Sequence, residues 1–278
     1  MSIFVFLSVL GAALLHAVWN ALIKVGTNRV AAMMVLSGVQ GLIGLCVVAT
    51  QALPGSAVWP WLLASGAIHT AYKLFLTFAY EHGDLSRVYP LARGTAPMIT
   101  LIVGALWLGE VVTGSEALGI LVLGLGILML ARGVWTSGES RKMLPFAFGS
   151  ACATAGYTLV DGLGARVAGN ATQFVGWLFV IDGILFAAGM LALRGRDALP
   201  GQGKVWLFGG LGAAASYGSY AVAVWAMTLA PIALVAALRE TSILFAVVIG
   251  WIAFGEKMTP AKALSVALIG GGVILTRF

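Results

Sequence analysis

The sequence carries very little charge. Only 9% of its 278 residues are Asp, Glu, Lys or Arg, whereas soluble domains carry roughly a quarter. Hydrophobic residues make up 60% of the chain, and the mean hydropathy is +1.01. This composition leaves no length for a soluble domain beside the apolar segments. The chain is therefore predicted to be an integral membrane protein.

Signatures of several other protein classes are also missing. The two cysteines, Cys46 and Cys152, stand alone in apolar segments, which argues against a disulfide or a thiolate metal site. The basic residues are scattered and form no cluster of the kind that binds nucleic acid. HExxH, GxSxG and P-loop motifs are absent. We therefore predict no metal, no cofactor, no nucleic-acid partner and no enzymatic activity.

Apolar runs bounded by charge, glycine or proline divide the chain into ten segments of about 20 residues, the length that spans a bilayer. Pro231 marks the tightest break, because proline suits the start of a helix and lacks the donor of a helix interior. The first segment lacks the basic start and the A-x-A site of a signal peptide, so it is predicted to be retained. The predicted helices cover 2–23, 31–50, 58–80, 87–108, 114–132, 144–165, 172–192, 204–229, 231–254 and 259–277.

The second half of the chain repeats the first. At an offset of 146 residues, LSRVYPLARGTAPMITLIVGALWLGE (85–110) aligns with PIALVAALRETSILFAVVIGWIAFGE (231–256). The alignment matches Arg93 with Arg239 and Glu110 with Glu256, the two glutamates being interpreted as solvated or capping residues at helix ends. Five helices per half make the second half enter the membrane from the opposite side.

The predicted fold is therefore an all-α integral membrane protein with ten transmembrane helices in two inverted five-helix repeats. The repeats are predicted to cover residues 1–133 and 144–278, with a polar connector at 134–143. Eleven lysines and arginines lie in connectors on one side, and only Arg166 and Arg277 lie on the other. The positive-inside rule then places both termini outside the cytoplasm, in a multi-pass protein of the inner membrane.

Polar and aromatic residues recur on equivalent segments of the two halves. His69, Tyr72 and Lys73 share a stripe of the third segment, because side chains three and four apart lie on one helix face. An offset of 145 aligns Tyr72 with Tyr217, and Tyr220 lies one turn further on the same segment. Tyrosines supply apolar walls with a polar tip, so these residues predict a central cavity, with core packing as the alternative.

The first and sixth segments align at an offset of 138, which matches Trp19 with Tyr157 and Asn20 with Thr158. An aromatic residue and a polar neighbour thus recur there too. The predicted substrate-binding residues are Trp19, Asn20, His69, Tyr72, Tyr89, Arg93, Tyr157, Tyr217, Tyr220 and Arg239.

The repeated arginines are the most informative of these residues. A charge at membrane depth costs at least about 2.5–3.5 kcal/mol on insertion scales, so it normally faces a partner or water. Arg93 and Arg239 can bind a substrate carboxylate, or alternatively pair helices or form a gate. Pro90 and Pro97 flank Arg93 and predict a bend or a local break in the fourth helix. The candidate gating or coupling residues are His16, Lys73, Pro90, Pro97, Asp161 and Glu240.

The chain resembles the EamA-type transporters of the drug/metabolite transporter superfamily over essentially its whole length. The resemblance rests on the doubled ten-helix pattern, on the LGE and FGE endings at Glu110 and Glu256, and on HGDLSRVYPLARGTAP at 82–97. It implies a transporter of small metabolites such as amino acids, sugars, nucleotide-like solutes or drugs. It also implies cytoplasmic termini for many members, which disagrees with the charge count.

The predicted function is secondary transport that exports or exchanges small metabolites by alternating access through a mid-membrane cavity. Buried arginines and many tyrosines favour a zwitterionic or anionic, partly aromatic solute, so aromatic or other neutral amino acids lead. The first segment has no acidic residue, which argues against the proton–drug exchange of the small multidrug antiporters in the superfamily. The groups able to couple protons are His16, His69, Asp161, Asp182 and Glu240.

Two alternatives stay open at this level. The substrate can belong to another class, such as sugars, nucleotide-like solutes or drugs. A polytopic membrane enzyme is the weaker rival. The expected partners are the small-molecule substrate and the lipid bilayer, with protons as a candidate coupling ion, and the expected state is a monomer or a weak homo-oligomer.

Overall fold

A computed structural model of the protein describes residues 1–24, 29–82, 95–131, 142–201, 203–255 and 257–277. Within these ranges the secondary structure consists of α-helices and two short 3₁₀ helices, with no β-strand. The all-α prediction is confirmed for this part of the chain.

The first half contains five α-helices in its described residues. They are α1 (Ile3–Lys24), α2 (Arg29–Val48), α3 (Trp59–His82), α4 (Ala96–Trp107) and α5 (Gly114–Ala131). The second half contains α6 (Met143–Ala168), α7 (Ala171–Arg194), α8 (Gly203–Met227), α9 (Ile232–Arg239), α10 (Ser242–Phe254) and α11 (Pro260–Leu275). The 3₁₀ helices, Ser56–Val58 and Gly195–Ala198, precede α3 and follow α7.

Five segments of the described chain are long and apolar enough to cross a membrane: Ile3–Leu22, Ala31–Val48, Ala171–Ala198, Gly203–Met227 and Ile232–Ile252. The helices α4, α5 and α11 are apolar but shorter. With 24 and 26 residues, α3 and α6 are also long enough to span, but they carry buried charged or titratable side chains. The chain is an integral multi-pass membrane protein, and the count of ten spans stays a prediction.

The predicted ninth helix, 231–254, is interrupted. It begins after Pro231, as predicted, but splits at Glu240 and Thr241 into α9 and α10. The N–H groups of these two residues bond to carbonyls three residues back, and the Thr241 hydroxyl donates to the Leu238 carbonyl at 2.7 Å. Such bonds tighten the backbone locally. The prediction of one continuous helix is therefore wrong here, although both pieces belong to one candidate span.

The same position begins a helix in the first half. Thr95 is the N-cap of α4, and Pro97 lies in its first turn. At the offset of 146, Thr95 aligns with Thr241, which is the N-cap of α10. Pro97 therefore lies at a helix start, where its missing N–H costs nothing. Most of the predicted segment before it falls in residues 83–94, outside the described residues.

The two halves interlock through a reciprocal pattern of helix contacts. The third helix of the first half, α3, packs along the first helix of the second half, α6, and α1 packs along α8 in the same way. The helices α2 and α7, which are second in each half, pack together, as do α5 and α11. This pattern agrees with a repeated fold.

The contact between α5 and α11 depends on glycine. A Cβ atom on Gly119 would lie 2.7 Å from the Gly272 carbonyl oxygen, and one on Gly272 would lie 2.6 Å from the Gly119 carbonyl oxygen. Small residues allow two helix backbones to approach this closely. Gly119 and Gly272 therefore mark a close backbone contact between α5 and α11.

The beginning and the end of the described chain lie on the same side of the molecule. Arg277 donates from Nη1 to the carbonyl oxygen of Met1 at 3.0 Å, and its guanidinium lies 5.3 Å from the Phe6 ring. A chain that crosses a membrane an even number of times has both ends on one side, so this contact agrees with the predicted ten crossings. The two cysteines, Cys46 and Cys152, are exposed and form no disulfide.

Candidate functional site

Helices from both halves meet at His69. This buried residue of α3 has its Nε2 atom 2.8 Å from Oδ2 of Asp161 on α6 and 3.2 Å from the hydroxyl of Tyr220 on α8. The Tyr220 hydroxyl also donates to Oδ2 of Asp161. The Asp161 side chain is 0% exposed. One carboxylate oxygen therefore connects three helices of the two repeats.

Aromatic rings surround this contact. The Tyr157 ring stacks on the His69 imidazole with 4.0 Å between centroids, because Tyr157 lies one turn before Asp161 on the same face of α6. Tyr72 of α3 meets the Tyr157 ring edge-on at 5.4 Å. Tyrosine rings therefore lie around the contact of His69 with Asp161, and the central cavity itself stays a prediction.

Phe179 of α7 extends the aromatic wall and has no counterpart in the sequence-based predictions. Its ring lies 5.6 Å from that of Tyr220 and 5.1 Å from that of Tyr217. Phenylalanine is common in apolar helices, so nothing in its sequence position marks it. The predicted Tyr217 joins the other tyrosines through this ring.

Arg239 completes the group. It is buried at the last position of α9, its Nη2 atom lies 3.3 Å from the Tyr157 hydroxyl, and its guanidinium carbon lies 5.1 Å from the centre of the Tyr220 ring. A cation over an aromatic face is attracted by the ring quadrupole, more strongly away from water. The helix interruption directly after Arg239 ends α9 beside these tyrosines. We call His69, Tyr157, Asp161, Tyr220 and Arg239 the His69 cluster.

A second buried contact lies one turn further along α3. The Lys73 ammonium is 2.5 Å from Oδ2 of Asp182 on α7 and 2.7 Å from the Ser37 hydroxyl on α2. It also lies 5.3 Å from the centre of the Phe186 ring. The sequence singles out Lys73 but does not identify Asp182 as its partner. The available signal is that Lys73 and Asp182 each lie within an apolar segment, because intramembrane charges usually pair.

The candidate residues of α1 form a separate group. Trp19 packs against Leu36 of α2 and Ala213 of α8, and its ring lies 5.1 Å from that of His16. The Asn20 side chain donates to the His16 carbonyl at 2.8 Å, within its own helix. The helix α1 packs along α8, whereas His69, Tyr157 and Asp161 lie where α3 packs along α6.

Glu110 connects several helix ends on the side that holds both termini. Its carboxylate accepts the Ile232 backbone N–H at 2.9–3.0 Å and an Arg166 N–H at 3.0 Å. Arg166 also donates to the carbonyl groups of Met227 and Ala230. Glu110 therefore caps α9 and ties the end of α4 to the ends of α6 and α8. The prediction that Glu110 caps a helix is confirmed. The helix it caps is α9 and not α4, which ends shortly before it.

Three of the predicted site residues fall outside the described residues: Tyr89, Pro90 and Arg93. Of the two repeated arginines, the structure therefore describes Arg239 alone. Glu240 is buried directly after Arg239. In the part of the chain that the structure describes, no three His, Cys, Asp or Glu side chains are grouped as metal ligands.

Many membrane transporters are built from two structural repeats with a polar site at the repeat interface. The EamA-like transporter family matches residues 3–132 and again residues 141–278. The chain therefore belongs to the EamA-like transporter family, which makes it a membrane transporter of the drug/metabolite type.

A known crystal structure supports the same fold. It aligns with a TM-score of 0.78 and 18% identity, over 99% of this chain and 98% of that chain. At this identity the similarity establishes the fold alone. The comparison with curated proteins gives no match.

Proposed function

We propose that the protein exports or exchanges small metabolites, with aromatic or other neutral amino acids as the leading substrates. The observation that carries this proposal is the His69 cluster, in which charges of both signs lie among aromatic rings at the contact between the repeats. The Asp161 carboxylate would attract an ammonium group, and the Arg239 guanidinium would attract a carboxylate. The rings of Tyr157 and Tyr220 match an aromatic or apolar side chain.

The proposed mechanism is alternating access around this site. The described contacts give one side of the pathway a candidate gate, because the Glu110–Arg166 pair joins the ends of α4 and α6 and holds the start of α9. These contacts have to open when the site faces that side. From the charge count, we propose that this side lies outside the cytoplasm in an inner-membrane protein.

The substrate class is tested by counterflow in liposomes that hold the purified protein. The labelled panel contains amino acids, sugars, nucleotides and cationic dyes, each measured with and without a pH gradient. Selective exchange of phenylalanine, tryptophan or other neutral amino acids is expected, and an effect of the gradient would identify protons as the coupling ion. Exchange restricted to sugars, nucleotides or dyes would contradict the amino-acid proposal while leaving the family assignment intact.

The gate is tested by a reversible cross-link. Glu110→Cys together with Arg166→Cys places two thiols at positions whose long side chains meet in the structure. A flexible bis-methanethiosulfonate reagent can join these thiols, whereas a direct disulfide requires closely spaced Cα atoms. The cross-link is expected to stop transport, and its reduction is expected to restore transport. Each single variant, treated with the same reagent, is the control. Full transport in the verified cross-linked protein would contradict alternating access through this gate.

A further inference from the structure

Asp161 has one carboxylate oxygen with two partners and another with none. Oδ2 accepts hydrogen bonds from His69 and Tyr220. Oδ1 is buried and has no hydrogen-bond partner in the part of the chain that the structure describes. A buried acceptor without a partner is costly, and such atoms in folded proteins usually have an explanation.

Asp182 provides an internal comparison. It too has a buried Oδ1 without a partner among the described residues, but its other oxygen meets the full positive charge of the Lys73 ammonium. Asp161 meets an imidazole, which is charged only when protonated, and a phenol, which is neutral. Of these two carboxylates, Asp161 therefore receives less positive charge from its direct partners.

The surroundings of Asp161 suit a positively charged ligand group. Tyr220 reaches the carboxylate through its hydroxyl, and its ring lies 6.1 Å from the Tyr157 ring and under the Arg239 cation. An alkylammonium group has three N–H donors and no acceptor, so it matches an open carboxylate oxygen. A carboxylate ligand would instead be repelled at this oxygen.

We propose that Oδ1 of Asp161 binds the ammonium group of the substrate, while His69 and Tyr220 hold the carboxylate in place through Oδ2. This inference rests on the proposed function and adds a chemical requirement to it: the substrate carries an amino group. A solute that has a carboxylate but no amino group is then expected to be transported less well than the amino acid with the same side chain. An ordered water on Oδ1 is the competing explanation, and it predicts no such dependence.

The test compares ligands that differ only in the amino group, using thermal unfolding of the purified full-length protein. The pairs are L-phenylalanine with 3-phenylpropanoate and L-leucine with 4-methylpentanoate. A ligand that binds the folded state raises the unfolding temperature with its concentration. Since a hydrogen bond to a charged group contributes about 1.5–3 kcal/mol, the amino member of a pair is expected to bind at least about tenfold more tightly.

The outcomes separate this inference from the proposed function. Equal stabilisation by both members of a pair would overturn the ammonium site and leave amino-acid transport standing. No response to any pair, together with counterflow of sugars alone, would overturn the proposed substrate class and the ammonium site with it. Stabilisation by the amino members alone would support both. This comparison needs no variant, so it does not depend on the folding of a mutant.

Two variants then locate the site. Asp161→Asn keeps the size of the side chain and an acceptor for His69 and Tyr220 but removes the charge, so the preference for the amino member is expected to fall to about twofold or less. The double variant Lys73→Met with Asp182→Leu is the control, because it removes the other buried carboxylate together with its counter-charge, and it is expected to keep the full preference. An unchanged preference in a folded Asp161→Asn protein would overturn the assignment to Asp161.

Discussion

Lys73 and Asp182 form a buried ion pair, with 2.5 Å between Nζ and Oδ2, that connects α3 of the first repeat to α7 of the second. One turn earlier, His69 of α3 meets Asp161 of α6. The most polar helix of the first half is thus held by two helices of the second half. The contact between the repeats is therefore built from charge as well as from apolar packing.

Removing one partner of this pair is expected to be strongly destabilising. Lys73→Met leaves the Asp182 carboxylate buried without its counter-charge, which typically costs about 3–5 kcal/mol. The double variant Lys73→Met with Asp182→Leu removes both charges and is expected to recover most of that loss. Denaturation midpoints of the purified proteins in the same detergent measure the difference. Additive losses in the double variant would show that the two residues do not act as a pair.

Glu110 is expected to contribute more to stability than an ordinary helix-capping acid. Glu110→Ala leaves the Ile232 N–H and Arg166 without this acceptor, and a lost charged hydrogen bond at a buried position costs about 1–3 kcal/mol. Glu116 offers a matched control, since its carboxylate accepts the Thr113 N–H at 2.9 Å at an exposed helix start. Glu116→Ala is expected to cost about 1 kcal/mol. Equal shifts in the unfolding midpoint would mean that Glu110 acts as a local cap alone.

Much of the fold follows from the sequence because apolar length and internal repetition are strong signals. The break at Pro231 and the start of α4 near Pro97 come from residues that disfavour a helix interior. The break at Glu240 and Thr241 has no such marker. It depends on hydrogen bonds to carbonyls three residues back, and a sequence pattern does not distinguish these from an ordinary helical turn.

The candidate site is predictable in its residue types and less so in its contacts. His69, Tyr157 and Tyr220 are identifiable as polar or aromatic residues in equivalent segments of the repeats. Their convergence on Asp161 depends on how α3, α6 and α8 pack, which helical periodicity within one helix does not determine. The same limit applies to Trp19: it aligns with Tyr157 by sequence, but it packs between α2 and α8 in the structure.

The glycine contact between α5 and α11 predicts a position-specific loss of stability. Gly272→Ala places a Cβ 2.6 Å from the Gly119 carbonyl oxygen, and such overpacking typically costs about 1–3 kcal/mol. Gly271 has nothing within 4 Å of the same added atom, so Gly271→Ala is the control and is expected to be neutral or to stabilise the helix by up to about 1 kcal/mol. Unfolding midpoints of the two variants measured side by side provide the comparison. A similar midpoint for both would contradict a close backbone contact at Gly272.

Arg239 is expected to select for carboxylate substrates. It is the buried cation of the His69 cluster in the described chain, and its guanidinium lies beside the Tyr157 hydroxyl and the Tyr220 ring. Arg239→Gln removes the charge but keeps a polar side chain that still donates hydrogen bonds. Counterflow of L-phenylalanine is expected to fall at least about tenfold, because a charged hydrogen bond contributes about 1.5–3 kcal/mol. Counterflow of L-phenylalaninamide, which lacks the carboxylate, is expected to change much less.

Arg239→Lys separates charge from shape in the same assay. Lysine restores the positive charge but not the planar guanidinium that binds a carboxylate through two parallel hydrogen bonds. Partial recovery of L-phenylalanine counterflow in this variant, with the amide again little affected, is the result expected of a residue that binds the substrate carboxylate. An equal loss of the acid and the amide in both variants would mean that Arg239 stabilises the end of α9 through Tyr157 and Tyr220 and makes no contact with the substrate.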